Sequence, residues 1–209
     1  MSAVVTEAQV ANQALGLCGQ RDIIDSLLEN SAEAIACRTY FATVKQSVLE
    51  ELEWPWAQKR STLALLSGVT VEGWTYVYAA PSDLLNADCI HRIESGAQGP
   101  DVSPIPFAVE LNAAGNQLVI ATDATTPELV YTRDIALAMW PAKAIEALAA
   151  QLAVNVALML PVDKVLARSL APLAAQRLSQ AKAASANSLA QRPIPNAEVI
   201  RRRGYNPSR

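Results

Sequence analysis

The apolar residues change their spacing twice along this chain, and that change limits the available folds more than any other feature. Cys37, Phe41, Val44, Val48 and Leu52 recur in steps of four and three, the period of one helix face. From about Ser61 to Asp134 this period is lost. Short runs of β-branched and aromatic residues alternate there with turn chemistry. Helical spacing returns after Pro141 through Ile145, Leu148, Ala149, Leu152, Val156 and Met159. It resumes after Pro161 through Leu166, Leu170, Leu173, Leu178 and Ala181. The order is helix, helix, β segment, helix, helix.

Local signals place the boundaries. Thr6 followed by Gln9 has capping-box spacing, and Gly19 supplies a stop. The second helix starts at Asn30 or Ser31, with Asn30 and Glu33 spaced as another box. It ends before Trp54-Pro55-Trp56, because a residue preceding proline avoids helical geometry. Pro141 suits a helix start, and Asp163 suits a cap for the last helix. Pro172 is expected to kink or split that helix. Trp74 to Tyr78, Pro106 to Leu111, Gln117 to Thr122 and Glu128 to Thr132 read as strands. Asn112-Ala113-Ala114-Gly115-Asn116 is the turn of a hairpin. Residues 96–106, rich in Gly and Pro, read as an irregular loop.

The expected architecture is α+β, mainly α. It is a four-helix bundle with a β-rich domain inserted between the second and third helices, and an extended C-terminal tail. The corresponding divisions are residues 1–58 for helices 1 and 2, 59–137 for the β insert, 138–190 for helices 3 and 4, and 191–209 for the arm. Alanine is plentiful, 38 residues with 16 of them between Ala142 and Ala190, and small side chains let helices approach closely.

Charge is unevenly placed. Residues 1–163 hold 8 Lys/Arg against 19 Asp/Glu, while residues 164–209 hold 9 against Glu198 alone. Such polarity bears on association rather than on fold. The overall charge of −3 gives the whole chain no nucleic-acid footprint. Three cysteines, Cys18, Cys37 and Cys89, argue against a disulfide framework and for a reducing compartment. No signal peptide is evident in Met1 to Ala8, and the apolar run Ala147 to Val162 is too short for a membrane span. A soluble chain, cytoplasmic at synthesis and without a membrane partner, is expected.

Catalytic and ligand-binding motifs are scarce. His91 is the sole histidine and reads as a surface or β-domain residue. A Cys/His zinc site lacks ligands, and no P-loop, G-x-S-x-G or G-x-G-x-x-G occurs. Glu50, Glu51 and Glu53 read as a solvated face. No catalytic residue, metal or cofactor is expected. Trp54, Trp56, Trp74 and Trp140 stand where helical and β regions join, and read as packing that seals the joint. In the arm, apolar Ile194, Val199, Ile200 and Tyr205 are interleaved with Arg192, Arg201, Arg202 and Arg203. That mixture suits docking into a protein groove, and its 19 residues span about 60 Å when extended.

Several blocks resemble the head-to-tail adaptor family of short-tailed bacteriophages, the tail tubular protein A-like or head–tail connector proteins. The first is Ala14-Leu15-Gly16-Leu17-Cys18-Gly19-Gln20, followed by Ile23, Ile24, Ser26-Leu27, Glu29-Asn30-Ser31 and Glu33-Ala34. The likeness continues through Val48-Leu49, Trp54-Pro55-Trp56-Ala57-Gln58-Lys59-Arg60, Leu63-Ala64 and Gly73-Trp74-Thr75-Tyr76-Val77-Tyr78. It extends to Pro81, Asp83-Leu84, Leu129-Val130-Tyr131 and the helix Ala144 to Leu160. The resemblance covers most of residues 8–190, and the arm adds no signature of its own.

The resemblance implies a structural virion protein of the tail or neck, assembled in the host cytoplasm. It implies a twelve-fold ring that joins the portal to the tail, continues the DNA channel and takes part in DNA ejection. The partners implied are copies of the chain, the portal, a distal tail tube or nozzle protein and, in some members, fibres or spikes. Genomic DNA passes without sequence-specific binding, and acidic residues are expected on the channel wall or the ring contact. By position, the implied portal-docking arm is Arg192 to Arg209. Two alternatives stay open. One is a tail-associated peptidoglycan-degrading enzyme using Glu50, Glu53 or Asp83. The other is a helical-bundle nucleic-acid-binding protein with a basic C-terminal arm.

Overall fold

The structure, a computed structural model, describes residues 5–51, 54–92 and 105–188, with backbone only at 88–92 and 188. Helix α1 (Glu7–Leu17) begins with a reciprocal cap. The Thr6 hydroxyl accepts from the Gln9 amide at 3.2 Å, and the Gln9 side chain accepts from the Thr6 amide at 3.0 Å. The chain leaves α1 through Gly19, whose φ of +76° favours glycine. A connection then folds back along the helix. The Asn12 side chain donates to the Ile24 carbonyl and accepts from the Ile24 amide, at 2.8 and 2.9 Å.

Helix α2 (Ala32–Glu50) is capped by Ser31, whose hydroxyl accepts from the Ala34 amide. The box expected from Asn30 and Glu33 therefore gives way to a Ser31 cap. Just upstream, Glu29 turns the connection by accepting from the amides of Asp25 and Ser26. Helix α3 (Ala142–Val156) follows Pro141. Helix α4 (Lys164–Ser188) starts where Asp163 accepts from the amides of Val165 and Leu166. It continues through Pro172 without the expected split. Pro172 lies on the exposed side, so solvent can serve the carbonyl that loses its helical donor.

Six strands separate the helix pairs: β1 (Gln58–Thr62), β2 (Tyr76–Ala79), β3 (Leu84–Arg92), β4 (Phe107–Leu111), β5 (Leu118–Thr122) and β6 (Pro127–Arg133). They form two three-stranded antiparallel sheets, ordered β1-β6-β3 and β2-β5-β4. The chain passes repeatedly from one sheet to the other. Among the described residues, only β4 and β5 are joined as a hairpin within one sheet. Its turn is closed by Asn112 and Gln117, with Gly115 at φ +71°. Tyr78 and Ile120 from one sheet meet Leu129 and Tyr131 from the other, with Leu63, in one buried cluster.

The expected four-helix bundle with a β insert is overturned. The protein is α+β, with four helices and two antiparallel sheets in the order helix, helix, sheets, helix, helix. α3 is the centre of the helical part: α1, α2 and α4 all pack on it, while α1 and α2 meet only narrowly. The physical reason lies in α3 itself. Nine of its fifteen residues are buried and they face every direction, five of them alanines that let neighbours close in. A helix in a bundle buries one stripe; this one is surrounded. The larger core also crosses between the two kinds of structure. Ala57, Ile135, Leu137 and Trp140 belong to the same buried cluster as the helix residues, and Leu85 of β3 packs against it.

Candidate functional site

Three of the four tryptophans converge where the helices meet the sheets. The rings of Trp54 and Trp56 are 5.3 Å apart, and those of Trp56 and Trp140 are 5.1 Å apart, all tilted. Trp54 is fully buried, and its Nε1 donates to the Val48 carbonyl at 2.7 Å. Trp140 donates to the Ile135 carbonyl. Two further ties fasten the same joint: the Lys45–Asp134 ion pair and the bond from the Arg133 amide to the Ala57 carbonyl. Trp74 is half-buried before β2 and stands apart from this group.

The best-formed polar cluster is Lys59, Asp83 and Tyr131. The Tyr131 hydroxyl donates to one Asp83 carboxylate oxygen at 2.7 Å, and the Lys59 ammonium donates to the other at 3.0 Å. The ammonium also lies 5.8 Å from the centre of the Tyr131 ring. The Tyr131 bond above all, then Lys59, holds the Asp83 carboxyl below its ordinary range, against the opposing push of burial. The bond to Asp83 likewise holds Lys59 above its usual value, and burial raises the Tyr131 phenol. These groups tie β1 and β6 to the turn before β3.

That arrangement fixes how the cluster contributes to stability with pH. A carboxyl held low in the fold stabilises it above the unfolded pKa, near pH 4, and the contribution is lost as pH falls through the folded value. Lys59 and Tyr131 are held high, so their contribution is present below about pH 10 and is lost as pH rises further. Asp83→Asn is therefore expected to flatten the acid limb of a plot of urea midpoint against pH. A limb as steep as in the wild type would refute the assignment.

The carboxylates considered for acid–base chemistry do not converge. Glu50 ends α2 and accepts from Gln46 at 2.7 Å, Asp83 is held as described, and Glu53 lies outside the described residues. Neither Glu50 nor Asp83 lines either of two surface clefts. One, about 230 Å³, lies between α2, α3 and α4 and is lined by Tyr40, Ser47, Glu51, Gln151, Asn155 and Leu178. The other, about 320 Å³, includes Glu7, Phe41, Lys45, Leu85 and Asp134. Glu51 of the first is paired with Lys182, and Lys45 and Asp134 of the second are paired with each other. Cys18 and Cys37 are buried free thiols, each pushed up to about 11 by burial, which leaves them poor nucleophiles. Among the described residues there is no group of three His, Cys, Asp or Glu that could hold a metal ion, and no helix long and apolar enough to cross a membrane.

Several sequence-marked residues fall outside this description. The arm residues Arg192, Ile194, Val199, Ile200, Arg201, Arg202, Arg203 and Tyr205 lie outside the described residues, as do residues 96–104 and the side chains of Cys89 and His91.

The feature that sequence reasoning missed is at the end of the helical part remote from the sheets. The C-terminus of α1, the N-terminus of α2 and the α3–α4 turn meet there. The Cys18 thiol donates to the Ala153 carbonyl, Arg38 donates to the Leu27 carbonyl, and Leu166 lies against Gly19. This pole exposes six large apolar side chains. Ile23, Leu28, Leu158 and Val165 are 77, 81, 78 and 76% exposed, and Met159 and Ile35 are exposed beside them. The sequence spacing predicts Met159 on the apolar face of a longer helix. α3 ends at Val156 instead, and Leu158-Met159 turn outward ahead of Pro161. The signal available was the proline, which limits how far a helical stripe can continue. Set beside known proteins, the chain matches no family model and no curated sequence.

Proposed function

We propose that this chain is a structural assembly subunit, a head-to-tail adaptor of the kind its sequence resembles. Copies assemble as a ring, joined on one side to a portal and on the other to a distal tail tube or nozzle component, with fibres or spikes where these exist. DNA passes through the centre without sequence-specific contact, and the arm from Arg192 to Arg209 grips the portal.

The observation that carries this reading is the apolar pole. Large apolar groups concentrated on one exposed end mark a surface for protein contact. The best-formed polar cluster, Lys59–Asp83–Tyr131, ties strands together. The test is to mix the purified chain with its portal and image the product by electron microscopy. A ring seated on the portal is expected. A chain that never binds the portal, or that clears peptidoglycan in a zymogram, overturns the proposal.

A further inference from the structure

We infer that copies of this chain join head to tail, the apolar pole of one receiving the β4–β5 hairpin of the next. The inference deepens the assembly reading of that pole and rests on it.

The hairpin presents a second, separate apolar surface. Val109, Leu111 and Leu118 are all exposed. Register shows why. Phe107 pairs with Thr122, Val109 with Ile120 and Leu111 with Leu118, so all six residues point to one face of the sheet. Near the base of the hairpin that face is buried, with Ile120 in the cluster between the sheets and Phe107 packed on it. On the edge strand β4 and toward the tip, Val109, Leu111 and Leu118 of that same face are left exposed. An inward-facing apolar row continued past its own core is suited to entering another apolar surface.

Size favours a second copy as occupant, and charge can set its register. The six pole side chains together expose on the order of 700 Å², above the largest patch common on monomers and close to one side of a standard interface. Sheet β2-β5-β4 and its turns contain Glu72, Glu110 and Asp123 and no Lys or Arg from Ser61 to Ala87 or from Ile105 to Thr132. The pole is edged by Arg21, Arg38, Lys164 and Arg168, all exposed. Its acids are Asp22, Asp25, Glu29, Glu33 and Asp163, of which Glu29 and Asp163 accept from backbone amides. Of the two surfaces only the pole supplies cations, so an ion pair across the contact joins a pole Arg or Lys to a hairpin-side carboxylate and sets register. Two unlike patches on one chain make a heterologous contact, which forms a ring where the rotation between copies closes and an open filament where it does not.

The test uses the full chain in sedimentation velocity over a concentration series reaching about 1 mM, where weak contacts populate. Two variants alter exposed residues only: Leu158→Glu with Val165→Glu at the pole, and Val109→Glu with Leu111→Glu on the hairpin. Circular dichroism checks that each stays folded. The wild type is expected to form species larger than a dimer, and each variant to raise the dissociation constant at least ~10-fold. An equal mixture of the two variants retains one intact pole and one intact hairpin, so it should form a dimer and stop there. A wild type that stays monomeric throughout overturns the inference. So does a hairpin variant that associates normally, whether the pole then takes another pole, the arm of a neighbour or nothing. A chain that assembles through these two patches but never binds a portal keeps the inference and sinks the adaptor role.

Discussion

Trp54→Ala is expected to cost roughly 3–5 kcal/mol of unfolding free energy, the range for removing a large buried aromatic. Three losses combine at this residue. The indole is fully buried in the cluster shared by helices and sheets, so its removal leaves a cavity at the joint. Its Nε1 bond to the Val48 carbonyl at the end of α2 disappears. Trp56 also loses one of its two ring neighbours and bears on Trp140 alone. Trp54→Phe keeps a ring and loses the bond, so it should cost about 1–3 kcal/mol. Urea denaturation followed by far-UV circular dichroism reads both. A cost for Trp54→Ala below about 1 kcal/mol would show that the joint is not fastened here.

Leu152→Ala in α3 should destabilise by about 2–5 kcal/mol. Leu152 is fully buried in a helix that α1, α2 and α4 all pack against. Relaxation around the vacated volume is restricted because the neighbours already approach closely over Ala147, Ala149 and Ala153, so collapse at one contact would open another. The reverse change at the same helix, Ala153→Leu, has no room and should cost about 1–3 kcal/mol by forcing packed helices apart. Leu158→Ala, two residues beyond the helix and largely exposed, should stay within about 0.5 kcal/mol of wild type. The contrast between Leu152 and Leu158 measures directly where the core stops. Equal costs would refute the placement of the helix end.

Much of the local structure was legible before any tertiary contact was known. The Thr6–Gln9 cap, the Asp163 cap and the Asn112–Asn116 turn each depend on a few neighbouring residues, and each forms. β1 and β3 were harder to see. Gln58-Lys59-Arg60-Ser61-Thr62 has no apolar alternation, and it becomes a strand because β6 offers it an edge. β3 pairs with the other edge of β6 with two register shifts, which blur any period of two. Of the tryptophans marked at the joint, Trp54, Trp56 and Trp140 come together because α2, β1 and α3 converge there, while Trp74 lies on a segment that leads elsewhere.

The amino-acid order alone determined the order helix, helix, β segment, helix, helix, the caps at Thr6 and Asp163 and the hairpin turn, because these follow from interactions among residues a few positions apart. Only the tertiary structure decided that α3 is surrounded rather than one corner of a bundle, and that the β segment divides into two facing sheets. It also decided which apolar residues stay in water at the pole and the hairpin tip. An apolar residue reads alike in sequence whether a distant element covers it or none does. Burial depends on that distant element, and its position is a property of the whole fold.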